Sequence, residues 1–285
     1  MVKRIIDTHI HVWNFERAYY EWLQNDTSIL NRSYAIDELA KEHIESGVTE
    51  GILVQAANNL EDTNWMLEVA DRTDWITGVV GWLPLTDPET TARVLSENYR
   101  RNEYFKGVRH LIHDEPDAKW LLQDKVIESL KILAAHNLPY DIVGIKPEHI
   151  ETALLVADKV PDLKMIFDHL NQPPIATKEK FGVWGTLMAD AGKHKNFYVK
   201  ISGLGTASGK FESWTAEDIK PYIAFALQAF GENRCMLGGD WPVSLLAGSY
   251  VQTWHIYKEV INSLLRDEGK EKVFYKNAVH FYSLK

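Results

Sequence analysis

The 285-residue sequence predicts an α/β fold, a single-domain (β/α)8 barrel, on three observations. Short apolar runs alternate with amphipathic helical stretches along the whole chain, and the runs number eight. They recur at about 25–45 residues, the size of one βα unit. Neither a GxGxxG after the first run nor a P-loop occurs, which removes the usual grounds for an open, doubly wound sheet. α/β barrels of about 250 residues run as one domain, and no linker, low-complexity tract or short repeat divides this chain.

The strand candidates, in order, are Ile5–His9, Gly51–Gln55, Thr77–Trp82, Phe105–His110, Pro139–Val143, Lys164–Asp168, Phe197–Ile201 and Cys235–Gly239. They are rich in Ile, Val, Leu and aromatic residues, and several are almost continuously apolar, as parallel strands covered on both faces should be. Between them, Ile36, Leu39, Ala40 and Ile44 mark a first helical stripe, with Gly47 placed to end it. Asp87-Pro88 supplies an N-cap and an N1 proline for the third helix. Val126, Ile127, Leu130, Leu133 and Ala134 form another stripe; Ile150, Ala153, Leu154 and Ala157 form the next, before Pro161. Ile219, Tyr222, Ile223, Ala226, Leu227 and Phe230 form one more, closed by Gly231. Segment Trp13–Tyr34 is long for a βα loop and rich in aromatics, which predicts a partial lid.

With 45% apolar and 25% charged residues the chain has the composition of an ordinary globular protein. A net charge of −9 argues against nucleic-acid or anionic-membrane partners, which require basic patches. The single cysteine, Cys235, excludes an internal disulfide framework and fits a reducing compartment. The amino-terminal stretch has no apolar signal core and no apolar run is long enough to span a membrane, so a cytoplasmic enzyme acting on a small molecule is the expectation.

Chemistry concentrates where strands end. The first strand closes on Asp7-Thr8-His9-Ile10-His11, and strand alternation sends His9 and His11 to one face with Ile10 toward the helices. At the carboxyl mouth of a barrel two such imidazoles can hold a divalent cation or a substrate oxygen; the competing reading is core histidines satisfied by backbone. The eighth strand leads into Gly238-Gly239-Asp240-Trp241-Pro242. Asp240 is expected to ligate a metal and take a proton from attacking water, against the alternative of a helix cap. Barrel closure makes the first and eighth strands neighbours, so Asp240 should face His9 and His11. The sixth strand ends Asp168-His169-Leu170, from which His169 is expected to point inward and Asp168 to orient it.

These segments, with Val108-Arg109-His110, Val199-Lys200-Ile201-Ser202-Gly203-Leu204 and the tail around Phe281-Tyr282, resemble the amidohydrolase superfamily. The likeness is to its amidohydrolase-2 branch of TIM-barrel hydrolases, which contains sugar lactonases, and it covers essentially the whole chain. It implies that His9, His11, His169 and Asp240 are the catalytic set. Binuclear members carry a lysine or glutamate ending strand four and a histidine ending strand five, whereas here those strands end in Arg109-His110 and Asp141-Ile142-Val143. The resemblance therefore implies one weakly held Zn2+ on His9, His11, His169 and Asp240, or none, and no nucleotide cofactor. Gly239 stands where relatives often carry serine.

The expected reaction is water attack on a lactone carbonyl, with Asp240 moving the proton to the departing ring oxygen and the histidines stabilising the oxyanion. The alternative on the same scaffold is a metal-dependent decarboxylase or amide hydrolase. Arg109 and His110 are expected to fix substrate hydroxyls or the nascent carboxylate, with an ion pair as the other reading of Arg109. Lys200 either binds substrate or is a buried, paired lysine. Trp13, Trp22, Trp82 and Trp241 fall at or after strand ends, where flat faces stack on sugar rings or simply fill the core.

Overall fold

The computed structural model describes residues 4–177 and 179–285. Its strands are β1 Ile6–Ile10, β2 Glu50–Val54, β3 Ile76–Gly81, β4 Phe105–His110, β5 Tyr140–Ile142, β6 Met165–Phe167, β7 Phe197–Ile201 and β8 Cys235–Leu237. Each pairs in parallel with the next, in the order β1 to β8. Closure is made just beyond β8, where Trp241 pairs with Ile10. There the Asp240 N–H donates to the His9 carbonyl at 2.7 Å, and the His11 N–H to the Trp241 carbonyl at 2.7 Å. The eight apolar runs are thus the eight staves of one barrel.

Helices Leu60–Asp71, Pro88–Val94, Asp124–Ala135, Pro147–Lys159, Gly182–Gly192, Ala216–Phe230 and Tyr250–Leu264 follow β2 to β8 in turn and bury their apolar stripes on the strands. Their starts are fixed by sequence: the Asn59, Asp87 and Ser249 side chains accept the N–H of Asp62, Thr90 and Gln252. The first predicted stripe is broken, because Ile36–Leu39 winds as a 3-10 turn and only Glu42–Glu45 is α-helical. A tighter turn rotates the register, and Ile44 points to solvent instead of the core.

A second, inner core fills the barrel. Ile6, Ile52, Val54, Val80, Ile166 and Met236 meet Ala278, Phe281, Tyr282 and Leu284 of the chain's tail, which plugs the end where the strands begin. The opposite end is covered in part by residues 13–34. Trp13 and Tyr34 pair at the base of this loop, the Tyr20 hydroxyl donates to Asp62 at 2.8 Å, and the Trp22 indole donates to the Ala56 carbonyl at 2.8 Å. Among the described residues no helix is long and apolar enough to cross a membrane.

Candidate active site

β1 does not run evenly. Its register against β2 shifts between Asp7 and Ile10. The bulge leaves Asp7 facing the helix layer, where it accepts from Tyr250 Oη at 2.6 Å, Gly239 N–H at 2.8 Å and its own neighbour His9 N–H at 2.9 Å. Asp7 thus clamps the ends of β1 and β8 together; burial pushes its carboxyl up to about 6, against the pull of these donors. Past the bulge, alternation resumes: Ile10 packs in the outer core, and His9 and His11 turn inward as the sequence predicts.

His169 arrives by a different route. β6 stops at Phe167, and His169, Leu170, Asn171 and Gln172 follow with φ of 54°, 51°, 51° and 53°. Four consecutive non-glycine residues in the left-handed region cost about 1–2 kcal/mol each. Strain of this kind persists at functional sites where surrounding contacts over-determine it. Here the Trp184 indole donates to the Leu170 carbonyl at 2.8 Å and Asn171 to the Lys146 carbonyl at 3.3 Å. Asp240 is left-handed too, with φ 57°.

The three imidazoles share one arrangement. His11 Nδ1 meets the Val54 carbonyl at 2.7 Å, His169 Nδ1 meets Ser202 Oγ at 2.9 Å, and His9 Nδ1 lies 3.4 Å from Asp168 Oδ1. The Val54 carbonyl can only accept, so His11 carries its proton on Nδ1 and aims its Nε2 lone pair at the cavity, whereas His9 Nδ1 stands between the Asp168 carboxylate and the Lys200 ammonium, which is 3.3 Å away. His9 Nε2 and His11 Nε2 are 3.1 Å apart; Asp240 Oδ1 stands 3.7 Å from the first, 3.4 Å from the second and 3.9 Å from His169 Nε2. The His11 Nε2 lone pair, in contact with His9 Nε2, is satisfied by a proton or a cation between the two rings. A tetrahedral Zn2+ with bonds of about 2.0–2.2 Å sets its ligand atoms about 3.3–3.6 Å apart. The spacings within His9, His11 and Asp240 bracket that value, so these three fit a divalent ion, with His169 beside them.

Electrostatics suit this role. Burial lowers both His9 and His11, His9 well below the ordinary imidazole range, although nearby carboxylates pull the other way. Both rings are thereby neutral and free to ligate. Burial alone would raise Asp168, but the charges of Lys200 and Arg109 beside it hold it well below the usual carboxylate range. It stays ionised to hold His9 and Arg109, so it serves His9 more than the His169 that the sequence suggested.

Above these groups opens a cavity of about 340 Å3. Its floor is His11, His169, Asp240 and Arg109; its walls include Trp22, Leu111, Val143 and Ile145, with His113, Gln172 and Thr206 among the polar groups. Arg109 satisfies both readings offered by the sequence: it pairs with Asp168 at 3.0 Å and donates to the Gln55 carbonyl, yet it faces the cavity. Its buried Nε has no hydrogen-bond partner among the described residues.

The remaining expectations divide. With Arg109 inward, alternation turns His110 away from the cavity, where it bonds Glu115 Oε1 at 2.7 Å, accepts from the Trp82 indole at 2.9 Å and stacks on Trp120. Its expected substrate contact is corrected to a structural one. Lys200 is wholly buried between Asp141 and Asp168, the paired-lysine reading. Trp13 and Trp241 are core residues around Tyr34 and do not line the cavity, whereas Trp22 does. No sequence pattern marks Asp7, Ser202, His113 and Gln172 as site residues. The bulge hides the first, and the left-handed turn hides the last.

A family model described as "Amidohydrolase" matches residues 6–284. An L-fucono-1,5-lactonase of Burkholderia ambifaria is 31% identical over 283 residues, spanning 98% of this chain and 95% of that protein. A second L-fucono-1,5-lactonase, from Burkholderia multivorans, is 27% identical across 98% of this chain and 96% of its own. Among solved structures, an amidohydrolase from Burkholderia multivorans with bound zinc superposes with a TM-score of 0.91 at 26% identity, covering 99% of this chain and all of that one.

Proposed function

The chain belongs to the amidohydrolase family, and from that premise we propose that it opens the ring of a sugar-acid lactone by water attack on the ester carbonyl. The observation that carries the reading is the convergence of the His9, His11 and His169 Nε2 atoms on the Asp240 carboxylate at the floor of the cavity. Similarity to two L-fucono-1,5-lactonases along nearly the whole chain supports it.

Asp240 accepts the proton of the attacking water as the new C–O bond forms. It returns that proton to the ring oxygen as the acyl C–O bond breaks, because an unprotonated alkoxide leaves poorly. The products are a hydroxyl group and a carboxylate, whose proton goes to solvent. His169, anchored through Nδ1 to Ser202, offers Nε2 toward the developing oxyanion, and Arg109 brings a fixed positive charge to the same wall. A divalent ion held by His9, His11 and Asp240 would supply Lewis-acid polarisation and a more acidic water. Trp22 and the aliphatic wall exclude bulk water and receive the C–H face of a sugar.

A panel of pentono- and hexonolactones, L-fucono-1,5-lactone included, followed by acid release tests this. Ring opening of at least one member well above the spontaneous rate is expected. A panel wholly at the spontaneous rate would refute the reading.

A further inference from the structure

Beneath the cavity runs a chain of buried polar groups that ends in the tail. Tyr282 lies in the terminal helix Asn277–Tyr282, which enters the barrel from the end opposite the cavity. Its hydroxyl donates to Asp141 Oδ2 at 2.8 Å, and the same oxygen takes the Lys200 ammonium. Lys200 Nζ reaches Asp168 Oδ1 at 3.0 Å and stands 3.3 Å from His9 Nδ1. Asp168 Oδ1 is also the oxygen that faces His9 Nδ1, at 3.4 Å. Asp141, Asp168, Lys200 and His9 are wholly buried, and Tyr282 is nearly so. Arg109 holds the other oxygen of Asp168, Oδ2, at 3.0 Å, so Oδ1 is left to Lys200 and His9.

We propose that Tyr282 is a positioning residue for His9, acting through Asp141, Lys200 and Asp168. Lys200 is pulled between two carboxylates. The Tyr282 hydroxyl helps hold Asp141 as a carboxylate that engages one side of the ammonium. Without that donor Asp141 loses hold, Lys200 moves fully onto Asp168, and Asp168 Oδ1 is drawn off His9 Nδ1. His9 would then lose the paired charges, Asp168 at 3.4 Å and Lys200 at 3.3 Å, that set its ring from the Nδ1 side and so the Nε2 that faces His11 and Asp240. The tail is thereby part of the site at the other end of the barrel. A tail serving only as an apolar plug requires Phe281 and Leu284 but has no use for a buried hydroxyl.

Tyr282→Phe keeps the ring and removes the hydroxyl. Partners of metal-binding histidines are worth roughly 10–100-fold in affinity or activity, so a group one bond further out is expected at the lower end. Zn2+ affinity by chelator competition should weaken about tenfold. The imidazole 15N signals of His9 in the metal-free protein should shift, with those of His110 unmoved. On the lactone, kcat should fall about tenfold with KM within about twofold, a split that general loosening of the cavity does not produce. The kcat readout rests on the proposed lactonase function, whereas the zinc and 15N readouts do not. An inactive wild type would therefore sink that function alone. Asp141→Asn should act in the same direction, and it decides by the same readouts if Tyr282→Phe does not fold. A folded variant with wild-type zinc affinity and unchanged His9 signals overturns the proposal.

Discussion

His11 shows how one hydrogen bond sets the chemistry of a side chain. With Nδ1 committed to the Val54 carbonyl, only Nε2 remains for the cavity, and Ser202 does the same for His169. Gly203 protects the last of these. A Cβ there would sit 2.6 Å from His169 Nδ1, and the backbone is left-handed at φ +61°. Gly203→Ala is expected to lower kcat at least tenfold and stability by about 1–3 kcal/mol, read by paired assay and urea melts; an unchanged kcat would mean that His169 is not held by Ser202. At this scale the sequence was a good guide to position. His9 and His11 are strand-end residues placed by period-two alternation, and closure of the barrel sets Asp240 beside them. Their partners were harder to foresee, because Val54 contributes a carbonyl and Ser202 lies far from His169 in the chain.

Elements explain what residue patterns missed. The turn His169–Gln172 contains no glycine, so nothing in its composition announces four left-handed residues. The bulge in β1 likewise reverses Asp7 without a proline or glycine to mark it. The aromatic loop 13–34 was legible from length and composition, yet its attachment was not. The Trp22 indole is tied to Ala56, and Tyr20 to Asp62, which in turn accepts the Ala56 N–H at 2.8 Å. The loop is thus tied to the segment that follows β2, and under the proposed function its Trp22 offers wall surface to the substrate rather than a group that reacts. Trp22→Ala should raise KM about tenfold with kcat within about threefold, the pattern of lost uniform binding. A fall in kcat with KM unchanged would place Trp22 in the chemistry instead.

For the whole molecule, closure of the barrel is the decisive event, since it sets β8 beside β1 and brings Asp240 to the histidines. The count of eight apolar runs made that readable. The tail's place inside the barrel was not, because its apolar residues could equally have lain on the outer helices. Folding also leaves a pH signature. Burial lowers His9, His11, His43, His110, His113 and His149. It raises Asp7, Asp62 and Asp141 to about 6. As pH falls through 6.5 the unfolded chain gains protons on six histidines that the fold resists, a loss of stability. The three carboxyls take up protons earlier in the fold than in the unfolded chain, an opposing gain, but they are outnumbered. The melting temperature should therefore drop between pH 7.5 and 5.5; a rise would mean that the carboxyls dominate. The central claim, that Asp240 carries the proton in lactone hydrolysis, is tested most directly by kcat for Asp240→Asn on the best lactone of the panel. A loss of about 100-fold or more in a normally folded variant is the predicted result, and a kcat within about threefold of the unaltered enzyme would contradict it.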